Sequence, residues 1–307
     1  MLLRGKVFIA FALICQVYFS VVSCTPKQIA SDITSQIFKG GAPSFEMESD
    51  IEIGENSGLT MIKMMEAFQH DNPKNKNYLV LLSRSYAMYA FGFLEWNIMK
   101  NTGVDEGKKA AAEARAKSFY EKGKSFGLVV LNRNAGFEKT LTKDLDSFKK
   151  ALKGMGRNNV PALFFTAFNW GSWINLNKDS PFAIAEFPKV EAMMQRVLEI
   201  DEFYNYAGPH MFFGYSFGSR PAMFGGNPAK SKEHFEKALA AYQRKFLMAL
   251  VLYAQSYAVQ NQDRELFESL LNEVLTTPAD ALPEQRLANE IAKLRARWLL
   301  DHESTLF

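Results

Sequence analysis

Gly214-Tyr215-Ser216-Phe217-Gly218 has the Gly-x-Ser-x-Gly spacing of a hydrolase nucleophile turn, with His234 and His302 downstream. That chemistry needs a strand entering the turn and a helix leaving it, so that the serine stands exposed over a sheet. No sheet is expected on either side, and close helix packing through Gly214 and Gly218 accounts for the glycines better than a serine hydrolase at Ser216. Gly123-Lys124-Ser125 resembles the end of a phosphate loop, but Ser118 stands where the first glycine belongs and the stretch reads as helix. The histidines at 70, 210, 234 and 302 are scattered, without a partner at ligand spacing, so no metal site is expected. No catalytic group and no cofactor emerge, and the chain reads as a non-enzyme.

Aromatic residues offer a different chemistry. Phe164, Phe165, Phe168, Trp170 and Trp173 cover more than one face of a helix, whereas a surface helix needs only one apolar stripe. Either both sides are buried, or one face lines a groove or pore for an apolar ligand. Phe212, Phe213, Tyr215 and Phe217 pose the same question, with Met211 beside them, and Phe224 follows in a loop. Arg220, in that loop, has the planar fork that meets a carboxylate in a bidentate manner. Trp170, Trp173, Phe212, Phe213, Tyr215, Phe217, Arg220 and Phe224 are therefore the candidate ligand-contacting residues.

The 26 Phe and 13 Met suit a helical core or an apolar conduit. Once Arg4 and Lys6 are set aside with the leader, 36 basic residues become 34 against 33 acidic ones, a net charge of +1. No basic face for nucleic acid is implied.

Arg4 and Lys6 begin a leader whose apolar stretch, Val7 to Val22, is too short and interrupted for a membrane span. It ends in Val21-Val22-Ser23-Cys24, which resembles the bacterial lipobox, where a cysteine is acylated and becomes the new N-terminus. Thr25 follows in place of a retaining Asp, so the expected location is the inner leaflet of the outer membrane, facing the periplasm, held through the lipid alone. Removal of the leader, which carries Cys15, leaves Cys24 without a second cysteine, so no internal disulfide is possible.

Three segments follow: a lipoprotein signal peptide over 1–23, a tether and lead-in helix over 24–77, and a helical domain over 78–307. In the lead-in, Gly40-Gly41-Ala42-Pro43 predicts a break, followed by one short helix through Met61, Met65 and Phe68. After Asn77 the period is 3.6 residues. The spacing predicts four helix pairs. These are Tyr78–Lys100 with Ala110–Val129, Leu163–Asn175 with Pro188–Ile200, a helix near Pro209–Ser219 with one begun by Asn227-Pro228, and a last pair running from Leu250 to Pro278. Leu250, Tyr253, Ala254 and Tyr257, with Pro278, stand at tetratricopeptide offsets. The predicted fold is all-α: a right-handed solenoid of tetratricopeptide-like hairpins, with an accessory helix near Leu141–Leu152. A final helix carries Leu287, Ile291, Leu294 and Trp298 on its apolar stripe and Arg295 among its polar residues, and is expected to cap the exposed end.

From about Leu163 onward the chain resembles the T component of tetratricopeptide-associated TRAP (tripartite ATP-independent periplasmic) transporters. The matching residues include Trp170-Gly171-Ser172-Trp173-Ile174, His210 through Gly214, Gly225-Gly226-Asn227-Pro228, Gln262-Asp263-Arg264 and Arg286-Leu287-Ala288-Asn289. The resemblance implies a membrane-tethered homotrimer, threaded by an apolar pore, that docks the periplasmic TRAP substrate-binding protein. It implies transport of an apolar or amphipathic organic acid. A general tetratricopeptide scaffold of the envelope is the alternative.

Overall fold

The computed structural model describes residues 26–307, so the leader and Cys24 lie outside the described residues. Every regular element among the described residues is helical. None of these helices is long and apolar enough to cross a membrane.

Two helices come first among the described residues: α1, Pro26–Glu46, and α2, Ile51–Asp71. The break expected at Gly40-Gly41-Ala42-Pro43 is absent, because α1 runs through all four residues. The chain turns instead before Asp50, whose carboxylate caps α2 by accepting from the Glu52 and Ile53 amides at 2.9 and 3.1 Å. The lead-in is also tied to the body. Tyr78 Oη donates to the Ser31 carbonyl at 3.0 Å, and the Phe38, Phe68 and Tyr78 rings meet one another.

The first predicted pair appears as α3, Lys76–Tyr89, which continues through a π turn, Ala90–Leu94, into α4, Glu95–Asn101, and then α5, Glu106–Leu131. A short α6, Leu145–Lys153, matches the accessory helix and leads into α7, Val160–Asn175. A small helix that the periodicity missed, α8, Pro181–Ala185, precedes α9, Phe187–Ile200. Then come α10, Tyr204–Gly218, and α11, Pro228–Ala241. Asn227 caps α11, accepting from the Lys230 amide at 3.0 Å, with Pro228 in the first turn. The last elements are α12, Leu247–Tyr253, a second π turn over Ala254–Ala258, α13, Arg264–Thr276, and α14, Arg286–Asp301.

One core gathers α2, α3 and α4 with α11 through α14; the other lies among α3, α5, α6, α7 and α9. In the second, α7 packs against α3, α5 and α9, so its aromatics are buried on more than one side. Close approach here depends on glycine. A Cβ on Gly123 would lie 2.3 Å from Asn169, and one on Gly127 would lie 2.0 Å from Thr166 Oγ1. The Gly-Lys-Ser stretch is thus a helix contact. Gly214 and Gly218 act likewise between α10 and α11, where Ser231 Oγ donates to the Gly214 carbonyl at 2.7 Å. A Cβ on Gly214 would stand 2.9 Å from the Phe235 ring. Gly214→Leu is therefore expected to cost about 1–3 kcal/mol through overpacking, read as a lower midpoint in urea melts followed by circular dichroism. An unchanged midpoint would show that α10 and α11 can separate freely.

The entrance to α10 reverses hand. Asn205, Tyr206 and Ala207 all have positive φ, at 50°, 59° and 59°. Left-handed turns cost L-residues roughly 1–2 kcal/mol each, and packing offsets that here. The Tyr206 ring lies 5.3 Å from Phe246 and 5.2 Å from Tyr242. Gly208, next in the chain, lets the Phe164 ring come so close that a Cβ would sit 2.4 Å away.

The C-terminal helix also joins the two ends of the described residues: α14 packs on α12 and α13 and reaches α1 and α2. Leu287 fills the space over Gly54, and Ile291 meets Gly92. Arg295, placed on the polar face by its charge, is 1% exposed. Its partners stand some 200 residues earlier in the chain, where a periodic pattern cannot see them.

Candidate functional site: a buried arginine between the chain ends

Arg295 projects from α14 into a polar knot built by four other elements. Its Nη2 donates to the carbonyl of Phe91, a residue of the π turn; such turns recur at functional positions. The guanidinium lies 4.4 Å from the Phe91 ring centroid. Glu95, the first residue of α4, faces it at 3.9 Å. The other Glu95 oxygen accepts from Tyr120 Oη of α5 at 2.5 Å. Tyr215 of α10 completes the group, close enough to feel both charges.

Burial governs the electrostatics. It lifts the Glu95 carboxyl above its ordinary value, against the pull of Arg295 and the Tyr120 hydrogen bond. It pushes Tyr120 well up and Tyr215 to about 12, so both stay protonated donors. It lowers Arg295, which Glu95 opposes. Arg295 Nε has no acceptor. A buried guanidinium with an idle N–H is costly unless something else completes it.

Of the residues singled out by sequence, Tyr215 alone joins this knot. Trp170 and Trp173 stand beside it on α7, where the Lys124 ammonium lies 5.5 and 5.2 Å from their rings. Phe212, Phe213 and Phe217 form a ring chain between Phe187 of α9 and His234 of α11. Arg220 does meet a carboxylate, that of Glu191 at 3.1 Å, and its Nη2 donates to Ser216 Oγ at 2.7 Å. Ser216 is buried in the last turn of α10, with helix and no strand before it, so it lacks the strand-to-helix turn that a nucleophile elbow requires. Phe224 is 66% exposed in the loop, away from any of these contacts.

The sequence model of a family described as TRAP transporter T-component matches residues 47–307. The chain belongs to that family. It is a component of TRAP transport, and the knot around Arg295 lies wholly within the matched residues. An uncharacterized protein of Treponema pallidum (strain Nichols) is 22% identical, over 86% of this chain and 82% of its own length.

A second polar group in this TRAP component was invisible in the sequence. His210 and His234, scattered along the chain, meet with their Nδ1 atoms 2.9 Å apart, and His210 Nε2 lies 3.2 Å from Glu202. The two stand on different helices, so only the α10–α11 contact through Gly214 brings them together. Among the described residues no group of three or more potential ligands is placed to hold a metal ion. Burial lowers both histidines, and it brings His234 from 6.5 to about 4. A depressed histidine takes up its proton more readily unfolded, so stability is intact above pH 6.5 and is lost as pH falls from there toward 4. The melting temperature is expected to drop by roughly several degrees over that window, and His234→Phe, filling the space beside Phe213 and Phe217, to flatten the drop. An identical pH profile in that variant would contradict the assignment.

Proposed function

We propose that this chain is a non-enzymatic lipoprotein of a TRAP system, anchored through acylated Cys24 to the periplasmic face of the outer membrane. It self-associates as a homotrimer, docks the periplasmic TRAP substrate-binding protein and passes an apolar or amphipathic organic acid through the oligomer. The family match over 47–307 carries this reading, because it covers nearly every described helix. The basic and apolar leader ending at Cys24 supports the anchor. The spacing from Leu250 to Pro278 supports a right-handed solenoid of tetratricopeptide-like hairpins. A net charge of +1 opposes assembly only weakly. An interior that mixes partly buried aromatics with two guanidinium N–H groups lacking acceptors, on Arg286 and Arg295, suits an amphipathic acid better than a sugar, whose many hydroxyls need many partners.

Sedimentation equilibrium of the mature chain should give the mass of a trimer, and calorimetric titration with the substrate-binding protein encoded beside it should give saturable docking. A helical protein that stays monomeric and takes up no heat on mixing would overturn the transport assembly and leave a general envelope scaffold.

A further inference from the structure

The opening turns of α1 are built inside out. A surface helix ordinarily turns its apolar stripe to the core and its polar residues to water. Here Ser31 and Ser35 are the buried residues, while Ile29, Ile33 and Ile37 are 48%, 58% and 66% exposed. Four-residue spacing puts the three isoleucines in one row, about 12 Å long. The inner face is held by polar contacts. The Ser31 carbonyl accepts from Tyr78 Oη at 3.0 Å, Ser35 Oγ from Asn77 Nδ2 at 3.1 Å, and Asp32 from Asn75 Nδ2 at 2.6 Å. These bonds fix the rotation of α1, so the isoleucines cannot roll inward without breaking them.

What covers the row follows from the covalent chain. Only Thr25 separates Cys24 from Pro26, the first residue of α1. Two peptide steps reach at most about 7 Å. An acylated Cys24 sits at the bilayer surface, so α1 must begin there.

We propose that α1 lies along the membrane, with Ile29, Ile33 and Ile37 seated in the lipid surface. The inference rests on the reading that Cys24 is acylated and goes beyond it, because the chain then meets the membrane through protein as well as through its lipid. Helices of this kind bury their apolar face roughly 5–10 Å into the boundary between headgroups and acyl chains. The charge pattern fits. Continued along the helix, the row meets Gly40 and Ser44 and no charged residue. Asp32, the acid of these turns, is drawn to the body by Asn72 and Asn75. Because α1 packs on α2, α3 and α14, seating it fixes the orientation of the body on the membrane, which a bare tether would leave free.

With the leader removed and Cys24 acylated, the chain has no free thiol, so a cysteine placed in it takes a fluorophore alone. Bimane is attached at Ile33→Cys and, as a control, at Ser118→Cys on the exposed side of α5. Both acylated proteins are placed in vesicles of phosphatidylethanolamine and phosphatidylglycerol. Lipids carrying a nitroxide just below the headgroup are expected to quench the label at 33 several-fold more than the label at 118. Adding Ile29→Gln and Ile37→Gln, exposed positions whose change leaves the helical spectrum intact, should lower that quenching to the control level. A label at 33 that aqueous iodide quenches and nitroxide lipid does not overturns the proposal. Quenching that is the same with and without the glutamines overturns it too, since nearness to the anchor would then suffice. A label shielded from both quenchers would assign the row to a second copy of the chain and overturn the membrane contact. Mass spectrometry of the N-terminal peptide from the same samples separates the two readings. An acylated protein with a label untouched by lipid loses this contact alone, whereas an N-terminus without acyl chains takes down the anchor and the inference that rests on it.

Discussion

Asn289→Leu is expected to destabilise the protein by roughly 3 kcal/mol or more, a buried polar knot cut at its centre. Asn289 is fully buried in α14, and its side chain serves three backbone groups at once. Oδ1 accepts from the Leu247 amide at 2.9 Å, at the start of α12, where the helix has no side-chain cap of its own. Nδ2 donates to the Lys245 and Ala279 carbonyls, both at 3.0 Å. Lys245 follows Gln243 and Arg244, two residues with positive φ that turn the chain out of α11. One amide thus fastens the α11–α12 turn and the turn after α13 to the last helix. Leucine matches the volume and fills the space, so little of the loss comes from a cavity. It comes from leaving a buried N–H and two carbonyls without partners, at roughly 1–3 kcal/mol for each group left unsatisfied. In a domain of this size such a loss lowers the melting temperature by roughly ten degrees. Urea unfolding, followed by circular dichroism at 222 nm (the helix band), would measure it. A shift no larger than that of an ordinary surface substitution, within about 0.5 kcal/mol, would mean that water or backbone movement satisfies those three groups.

The helices were legible because their signals are local. Asn227-Pro228 announces the start of α11 within two residues, and Leu250, Tyr253, Ala254 and Tyr257 share one stripe whatever lies opposite. Gly214 and Gly218 were readable as a packing surface for the same reason, since four-residue spacing on a helix is a short-range fact. The bend predicted at Gly40-Gly41-Ala42-Pro43 failed where local propensity lost to tertiary contact. Glu46, at the end of the same helix, pairs with Arg84 and accepts from Gln285 at 3.0 Å, and these contacts hold α1 straight across its poor residues. The candidate site was the least legible part. Tyr215 was picked for being aromatic, but its neighbours Glu95, Tyr120 and Arg295 come from three distant helices. Arg295 carries a charge, and a charge on an amphipathic helix reads as solvated until its partner is known. The histidine pair was hidden in the same way. No one-dimensional pattern signals that a residue at 210 and another at 234 will face each other, nor that three residues in a row will adopt left-handed backbone angles.

Glu95→Ala should prove as damaging as the loss of a large core side chain, at about 3–5 kcal/mol. Alanine would leave the Arg295 guanidinium deep in the protein with no acid to face and the Phe91 carbonyl as its hydrogen-bond acceptor. It would also strip Tyr120 Oη of its acceptor. The loss would not measure the worth of the ion pair, because much of it is the cost of the charge left behind. A double variant separates the two. Glu95→Leu with Arg295→Met removes both charges and fills the volume, and its cost should fall well below that of Glu95→Ala. The lifted Glu95 carboxyl points the same way. A carboxyl raised in the folded state holds its proton more tightly there than when unfolded, so Glu95 contributes an unfavourable term at neutral pH that fades as pH falls. A pair under such a penalty is a weak source of net stability. Chemical denaturation of the single and double variants at pH 7 would decide the matter. Equal losses in both variants would show that the damage comes from the missing contacts and not from the stranded charge; a double variant near wild-type stability would show the reverse.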